Sequence, residues 1–287
     1  MKFSLFKNYG ALNSKPVFEA FERSLQNEGH TVLEDDMHAD VAVIWSVLWH
    51  GRMVGNKPIW DYYRKTGRNV IVLEVGGINR GTTWKVGLNG INKNSVNFIK
   101  DRDITSNSVR ADNLGLKLKP WNTDGEYILI CGQHDKSLQW KDMPSMSNWF
   151  LQIYDEIRKH TDRPIIFRPH PRCRLEHIER GLKNVYRQEP KKLEGSYDDF
   201  DMGFNDIYAT ISHSSNPGIH SIINGIAAFV SSNSIAYPVA HDIKYLNNIE
   251  NLYTPYRQLW LNNYAWTEFT VDEISNGTPL KYLTPYL

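Results

Sequence analysis

Three side chains that carry or can carry positive charge stand at alternate positions directly after an apolar run. They are Arg168, His170 and Arg172, in the segment RPIIFRPHPR. Pro169 and Pro171 flank the histidine and fix φ there, so the loop that presents the imidazole is stiff. Ligands of open α/β sheets bind at the carboxyl ends of strands. We expect an anion site for a diphosphate. A hydrogen-bonded loop histidine between two solvated arginines would give the same sequence pattern.

A second polar cluster follows the apolar run DIYATIS. It consists of His213, Ser214 and Ser215, directly before Asn216 and Pro217. Proline suits the first helical turn and serine or asparagine suits the cap, so a helix is expected to begin here. The amides and hydroxyls at such a helix start bind phosphate and replace a metal. Ordinary capping explains one serine but not the cluster, which favours a phosphate site.

The order of these two segments resembles a known enzyme class. A His-Pro element followed some tens of residues later by a Ser-Ser element resembles bacterial sialyltransferases and capsule-polysaccharide glycosyltransferases of the GT-B type. In those enzymes the two elements hold the donor phosphate, which by resemblance assigns this role to His170, Ser214 and Ser215. The resemblance implies a nucleotide-sugar donor, for which a UDP-sugar is expected, and no cofactor.

Two further resemblances extend this assignment. The loop CGQHDKSLQW is similar to the capsule-type loop that opens the donor domain, which implies that Gln133, Asp135 and Ser137 face the interdomain cleft. The whole-chain pattern, including NYGALNSKPVFEAF and DVAVIWSVLW, is similar to glycosyltransferase-like proteins of tailed phages. That similarity implies a hydroxymethylated pyrimidine in phage DNA as the acceptor. The acidic general-base motif of sialyltransferases and a clear DxD metal motif are not recognisable, so no metal site is predicted.

Transfer with inversion needs a group that takes the acceptor proton, and in GT-B enzymes it comes from the first domain. Glu74 is our candidate, because it ends the strand NVIVLEVGG just before Gly76 and Gly77, where an acceptor could approach closely. A strand-end glutamate facing solvent fits the same pattern. His50 and Asp36 occupy comparable positions and are reserve candidates.

Aromatic and cationic side chains of the first half could form an acceptor surface. Rings stack on bases and cations meet phosphates, and the residues expected to do so are Trp49, Arg52, Arg80, Trp84 and Lys85. Trp45 is expected in the core.

The elements that position these residues alternate between apolar runs and helical patterns. The first half reads MKFSLF, PVFEAFERSLQNEG, HTVLE, DVAVIWSVLW, NKPIWDYYRKTG and NVIVLEVGG, and a second series begins at EYILICGQ. Such alternation predicts parallel sheets covered on both faces. We therefore predict the GT-B fold, with two Rossmann-like doubly wound domains facing a cleft.

The domain boundary is predicted from the stretch 78–124, which is polar, rich in Gly and Asn, and aperiodic. Read as long loops leading to a linker, it gives an acceptor domain over 1–122 and a donor domain over 123–287. The tail from Asn251 shows helical spacing at Tyr253, Tyr256, Leu259 and Trp260. By analogy with GT-B folds, its helices are expected to cross back to the first domain.

Composition narrows the class of protein without naming a substrate. The formal net charge is +1, so no global field draws the chain onto nucleic acid or an anionic membrane. Cys131 and Cys173 have neither metal-ligand nor disulfide-framework spacing, and no apolar run reaches about 18 residues. These features predict a soluble, cytoplasmic protein with no membrane segment.

The sequence leaves several functions open. A glycosyltransferase acting on a hydroxymethylated DNA base is the first, and one acting on a saccharide is the second. The third is a non-enzymatic nucleotide-binding or interaction protein. A sugar-nucleotide 2-epimerase shares the two-domain architecture and also stays open, because fold alone does not fix function.

Overall fold

The computed structural model describes residues 1–95, 106–173, 175–196 and 199–287. The chain forms two compact units. The first contains Met1–Leu114, Lys136–Leu138 and Asn262–Leu287, and the second contains Gly115–Asp135 and Gln139–Leu261. The first stretch of the first unit therefore ends at Leu114 rather than at residue 122, and the C-terminal residues belong to that unit.

Each unit is built on one six-stranded sheet. The strands of the first sheet are β1 (Lys2–Leu5), β2 (Thr31–Glu34), β3 (Val41–Trp45), β4 (Asn69–Val75), β5 (Trp84–Leu88) and β12 (Glu268–Phe269). Those of the second are β6 (Tyr127–Cys131), β7 (Ile165–Arg168), β8 (Val185–Arg187), β9 (Ile207–Ser212), β10 (Ala227–Val230) and β11 (His241–Asp242).

The helices connect the strands and cover the sheets. The α-helices among the described residues are α1 (Lys15–Asn27), α2 (Asn56–Lys65), α3 (Val109–Asn113), α4 (Met146–Ile157), α5 (Asn216–Ile223), α6 (Gln258–Ala265), α7 (Val271–Ser275) and α8 (Thr278–Leu283). Short 3-10 turns occupy Lys7–Tyr9, Gly51–Gly55, Leu138–Trp140, Tyr237–Val239, Ile243–Asn248 and Thr284–Tyr286.

The second sheet is parallel throughout, with strand order β8-β7-β6-β9-β10-β11. Counted within the unit, this is the 3-2-1-4-5-6 order of the Rossmann fold. The order reverses between β6 and β9. The crevice at the carboxyl ends of those two strands is where such folds bind ligands.

The first sheet has the order β2-β1-β3-β4-β5-β12. β1 to β4 are parallel, whereas β5 runs antiparallel to β4, and β12 runs antiparallel to β5. The prediction of long loops over 78–124 is therefore wrong for Trp84–Leu88, a strand buried along its whole length. Lys85 and Gly87 interrupt its apolar run, which conceals the strand in the sequence. Residues 96–105 of that stretch lie outside the described residues.

Both faces of each sheet are covered, as the doubly wound prediction requires. Alternate residues of β3 enter two separate cores, one with α1 and one with α2. In the second unit, Ile128 and Ile130 of β6 pack with α4, whereas Leu129 and Cys131 enter a second cluster. The prediction of two Rossmann-like units is confirmed.

Local sequence signals account for several boundaries. The apolar stripe of α1 is fully buried, at Val17, Phe18, Phe21 and Leu25. Gly29 follows the helix with φ +74°, the left-handed conformation that glycine adopts easily at a helix end.

The predicted helical reading of the tail is wrong between Asn251 and Arg257. No helix forms there, Tyr253 is 50% exposed and Tyr256 is 85% exposed, and α6 begins only at Gln258. Pro255 interrupts the stretch, since proline lacks the amide that a helix interior requires.

A span of a bilayer requires a long apolar helix. Across the described ranges of the chain, no helix combines the length and the hydropathy that such a span needs.

Candidate functional site

The His-Pro loop (residues 169–172) and the serine turn (residues 213–215) follow two strands, β7 and β9, that lie on either side of β6. His170 follows β7, Ser214 follows β9, and the loop that begins at Gly132 follows β6, which lies between them in the sheet. These loops therefore share one edge of the sheet. The serine turn and the Gly132 loop occupy the two sides of the point where strand order reverses.

Gly132 allows these loops to approach closely. A Cβ at this position would lie 3.2 Å from the backbone nitrogen of His170 and 3.3 Å from Cα of Pro169. Its own N–H donates to the carbonyl of Arg168 at 2.8 Å. The backbone of the loop that begins at Gly132 thus supports the start of the His-Pro loop.

The tautomer of His170 is fixed by the backbone that follows it. Nδ1 accepts the N–H of Arg172 at 3.1 Å, and the carbonyl of His170 accepts the N–H of Cys173 at 3.0 Å. In the neutral ring the proton is then on Nε2, which makes that nitrogen a hydrogen-bond donor. The half-buried ring also packs edge-on against His134, with centroids 5.4 Å apart.

The serine turn caps α5 as predicted, with Ser215 at the N-cap. The Ser215 side chain makes no capping hydrogen bond, and its Oγ is buried without a partner among the described residues. Pro217 has no N–H, and the N–H of Gly218 donates to the carbonyl of Ser215 at 3.2 Å. At the start of α5, the serine hydroxyls therefore offer more hydrogen-bond donors to an anion than the predicted row of helix amides does.

Ser214 is held from the neighbouring loop. Its N–H and its Oγ both donate to Oε1 of Gln133, each at 3.2 Å. Gln133 is only 7% exposed. The structure thus connects the predicted loop residue Gln133 to the serine turn, in addition to any contact with a ligand.

Two further serine hydroxyls of this edge lack partners within the described part of the chain. Ser212 ends β9 with a fully buried side chain, and Ser231 directly follows β10. Buried hydroxyls are normally hydrogen-bonded, so these two serines are exceptions at this edge. Neither serine is predicted from the sequence, because single serines after apolar runs are common.

His213 supports the turn as a neutral ring. Its Nε2 lies 3.1 Å from the carbonyl of Gln139, and its ring packs edge-on against Trp140. Burial lowers the pKa of His213, and the hydrogen bond to Gln139 only partly opposes that effect. The imidazole is therefore neutral near pH 7, and its charge contributes nothing to anion binding.

Arg168 engages protein groups. Its guanidinium donates to the Gln188 side chain and to the carbonyl of Gly203, and only Nη1 is left buried and without a hydrogen bond among the described residues. Arg172, in contrast, is exposed. The predicted convergence of three cationic groups is thus replaced by one imidazole, one buried guanidinium and one exposed arginine.

The remaining predicted loop residues fall in different units. Asp135 is exposed in the second unit, with Oδ1 3.5 Å from Nδ1 of His134. Ser137 belongs to the first unit, where it pairs with Leu48 in an isolated antiparallel bridge. Ser137 is therefore part of the framework of the first unit.

A pocket of about 320 Å³ adjoins His170 in the second unit. One wall is the loop after β7 and the other is the chain after β8. Its lining residues are Pro169, His170, Pro171, Cys173, Leu175, Arg187, Glu189, Pro190 and Phe200. Most of these lining residues carry no functional motif in the sequence. Glu189 follows a strand as His170 does, so the same strand-end argument could have selected it.

Glu74, the predicted base, is a half-buried residue of β4 in the first unit. The hydroxyl of Ser46 donates to its Oε2, and the N–H of Val75 donates to Oε1 at 2.9 Å. Ser46 has φ +64°, an uncommon conformation for a residue other than glycine. The Ser46 contact orients the carboxylate, and the sequence carries no signal for it.

The two reserve bases have different surroundings. Oδ1 of Asp36 accepts the N–H of His38 at 2.8 Å, an interaction that forms a local turn. His50 is exposed just before the 3-10 turn Gly51–Gly55.

The predicted close approach of an acceptor is wrong at Gly76, because the protein itself fills that space. A Cβ on Gly76 would lie 2.3 Å from the carbonyl oxygen of Thr83 and 2.4 Å from Oε2 of Glu268. The fully buried Glu268 carboxylate accepts the N–H of Gly77 at 2.7 Å, the N–H of Ile78 at 2.9 Å and the hydroxyl of Thr83 at 2.8 Å. The glycine pair therefore serves the first sheet.

We expect Glu268→Ala to lower the free energy of unfolding by about 3 kcal/mol or more, because three buried donors lose a charged acceptor. Glu268→Gln keeps one acceptor oxygen and is expected to cost less. Urea denaturation measures both, and Glu19→Ala, at an exposed helical pair with Lys15, is the control, with a change within about 0.5 kcal/mol. A loss for Glu268→Ala no larger than for this control would contradict the assignment.

The predicted acceptor surface is partly wrong. Trp84 is 5% exposed and packs on Trp45 in the core, and Lys85 is 6% exposed. Both belong to β5, and its position inside the sheet explains their burial. Arg52 is exposed, whereas Trp49 and Arg80 are half-buried, with the ring of Trp49 6.1 Å from that of Trp60.

Metal ligation needs several oxygen, nitrogen or sulfur ligands in one place. The described residues contain no group of three or more histidine, cysteine, aspartate or glutamate side chains that could hold a metal ion.

Comparison with known proteins gives a similarity to solved structures only. No protein-family model matches the chain, and no curated protein matches it. The β-Kdo 2,7 transferase of KpsC from Thermosulfurimonas dismutans is 15% identical, with 98% of this chain and 100% of that chain covered and a TM-score of 0.49. The β-Kdo 2,4 transferase of the same KpsC is 12% identical, with coverages of 96% and 97% and a TM-score of 0.49.

Proposed function

We propose that the chain is a glycosyltransferase that takes its sugar from a nucleotide-activated donor and binds the donor diphosphate at the carboxyl edge of its second sheet. One observation carries the proposal. His170, whose Nε2 is the donor nitrogen, follows β7, and the serine hydroxyls at the start of α5 follow β9. These two strands are two apart in one sheet, which separates them by about 10 Å. A diphosphate with a hydrogen bond at each end bridges a gap of this size.

The polarity of this edge favours an anion. The start of α5 carries the positive end of the helix dipole, and the unpartnered Ser215 hydroxyl can donate to a phosphate oxygen. Arg168 bonds to Gln188 and Gly203 and so adds only the long-range field of a buried positive charge, which no described carboxylate neutralises in an ion pair. Negative charge that develops on the departing phosphate is therefore stabilised by groups that are already oriented.

The pocket beside His170 suits the nucleoside part of the donor. Pro169, Pro171 and Phe200 offer apolar surface for a base, and the Glu189 carboxylate can accept hydrogen bonds from ribose hydroxyls. One oxygen of Glu189 accepts from Nε of Arg187, which fixes the carboxylate. The pocket thus combines the apolar walls and the few polar groups that are typical of small-molecule sites.

The acceptor is the less constrained substrate. We propose a saccharide hydroxyl, because burial of Trp84 and Lys85 removes two of the five residues on which a DNA surface depended. The capsule-type resemblance of the loop CGQHDKSLQW also favours a saccharide. Glu74 is the proposed base in this reaction, with Ser46 orienting its carboxylate.

Nucleotide binding in the pocket is testable through its cysteine. We expect UDP at ten times its Kd to slow maleimide labelling of Cys173, which lines the pocket, by about tenfold, because the labelling rate follows the unbound fraction. Cys131 serves as the internal control, since burial raises the pKa of its thiol to about 11 and leaves little reactive thiolate. An unchanged labelling rate of Cys173 with every nucleotide tested, at concentrations that calorimetry shows to be saturating, would contradict the pocket assignment.

We expect turnover to persist in the presence of a chelator. The departing phosphate is met by His170, the serine hydroxyls and the dipole of α5, so no divalent ion is required for charge compensation. The assay measures sugar transfer in EDTA and after addition of magnesium or manganese. Complete loss of transfer in EDTA that either metal restores would contradict this expectation.

Acceptor dependence separates the remaining functions. A glycosyltransferase releases nucleotide faster when its acceptor is added, whereas an epimerase changes the sugar without any acceptor. A non-enzymatic protein binds the nucleotide and turns over nothing. Acceleration by hydroxymethylated DNA, but by no saccharide, would instead favour the DNA-modifying function.

A further inference from the structure

We propose that Arg168 is a positioning residue that joins the two ends of the segment between Gln188 and Gly203, of which residues 189–196 and 199–202 are described, and thereby holds one wall of the pocket beside His170. The inference rests on the proposed function only in taking that pocket as the nucleoside site. The supporting observation is that the single guanidinium of Arg168 donates hydrogen bonds to the residues on either side of the segment, Gln188 and Gly203.

The contacts of Arg168 define the clamp. Arg168 ends β7 and is only 7% exposed. Its Nε and Nη2 donate to Oε1 of Gln188 at 2.8 and 2.5 Å, and Nη2 also donates to the carbonyl of Gly203 at 2.7 Å. Gln188 is in turn fixed to β7, because its N–H donates to the carbonyl of Phe167 at 2.9 Å. Both ends of the segment are therefore attached to the strand that leads to His170.

Between these ends, two short runs pair with each other. We call residues 191–193 and 199–201 the wall ribbon. The N–H of Leu193 donates to the carbonyl of Asp199 at 2.9 Å, and the N–H of Asp201 donates to the carbonyl of Lys191 at 2.8 Å. The ribbon carries Phe200 into the pocket lining. The position of Phe200 therefore depends on where the ribbon is anchored.

The first run of the wall ribbon, residues 191–193, has little burial to anchor it. Lys191, Lys192 and Leu193 are exposed, so apolar packing contributes little to the position of this run. A buried arginine without a carboxylate carries a desolvation cost, which only well-formed hydrogen bonds offset. A guanidinium reaches two acceptors at fixed angles, whereas an ammonium is a single point donor. The clamp requires this fork, and charge alone does not supply it.

Three variants separate the clamp from a direct contact with the donor. Arg168→Lys keeps the charge and loses the fork, whereas Gln188→Leu keeps the arginine and removes its side-chain acceptor. We expect each to weaken binding of UDP and to raise the KM for the donor by about tenfold, with kcat within about threefold, because the wall is lost and the His170 loop is not. Gln188→Glu retains an acceptor oxygen and is expected to bind like the wild type.

Hydrogen exchange gives a readout that needs no activity. We expect the Leu193 and Asp201 amides, which hold the wall ribbon together, to exchange faster in Arg168→Lys and in Gln188→Leu than in the wild type. Arg163→Lys is the matched control. Arg163 also joins distant segments, through Glu250 and the carbonyl of Gly125, but it does not line the pocket. Its replacement is expected to leave the UDP affinity and both amides unchanged.

The outcomes distinguish this inference from the proposed function. Weaker UDP binding in Arg168→Lys with unchanged binding in Gln188→Leu would show direct contact of the guanidinium with the donor and overturn the clamp. Unchanged exchange of both amides in both variants would also overturn it. Faster exchange in a protein whose wild type binds no nucleotide would support the clamp and contradict the nucleotide-binding function.

Discussion

Replacing His170 with alanine is expected to slow sugar transfer by about 10² at saturating donor. The backbone N–H of Arg172 occupies Nδ1, so the proton on Nε2 is the group that can stabilise charge on the departing phosphate. Loss of one such preorganised donor has effects of this size. Steady-state transfer assays on purified protein measure the change in kcat.

Two isosteric variants distinguish catalysis from loop structure. In His170→Asn, the amide oxygen can still accept the Arg172 N–H, but nothing replaces the Nε2 donor. In His170→Gln, the longer amide can reach the Nε2 position. We expect His170→Asn to be as slow as the alanine variant and His170→Gln to recover part of the rate. Wild-type turnover by His170→Asn would return the histidine to a structural role in the loop.

The second large effect is expected at Glu74. Glu74→Gln should reduce transfer by about 10³, because the amide keeps the shape of the side chain but cannot accept the acceptor proton. The hydroxyl of Ser46 can still donate to the amide oxygen, so the fold of the strand end is retained. The Kd for UDP is expected to stay within about twofold of the wild-type value, since Glu74 belongs to the first unit.

Asp61→Asn is the control for Glu74, because the Asp61 carboxylate forms an exposed ion pair with Lys57 within one helix and belongs to no candidate site. We expect transfer within about threefold of the wild type. Full activity of Glu74→Gln would exclude this base and direct the search to His50 or to Asp36.

Much of the fold follows from the sequence because buried strands and amphipathic helices leave strong periodic signals. The runs around Val41–Trp45 and Tyr127–Cys131 are almost wholly apolar, as strands of sheets covered on both faces must be. The strand Trp84–Leu88 lacks this signal, because the buried Lys85 interrupts its apolar run. Whether a lysine in such a run is buried depends on tertiary partners, which local pattern does not encode.

Part of the candidate site can be predicted from the sequence and part cannot. His170 and the serine turn can be predicted, because parallel strands deliver the residues that follow them to one edge of the sheet. The hydrogen bonds of Arg168 to Gln188 and Gly203 cannot, since they depend on residues 20 or more positions away. The contact of Glu268 with the space at Gly76 cannot either, because the two residues are far apart in the chain. Contacts between distant segments carry the part of the site that composition and spacing omit.

The most direct test of the donor site is a crystal structure of the protein with bound UDP. We expect phosphate oxygens within about 3 Å of Nε2 of His170 and of the Ser214 or Ser215 hydroxyl. We also expect the base in the pocket lined by Pro169 and Phe200. Phosphates bound beyond hydrogen-bond reach of both the histidine and the serine turn would contradict the proposed donor site.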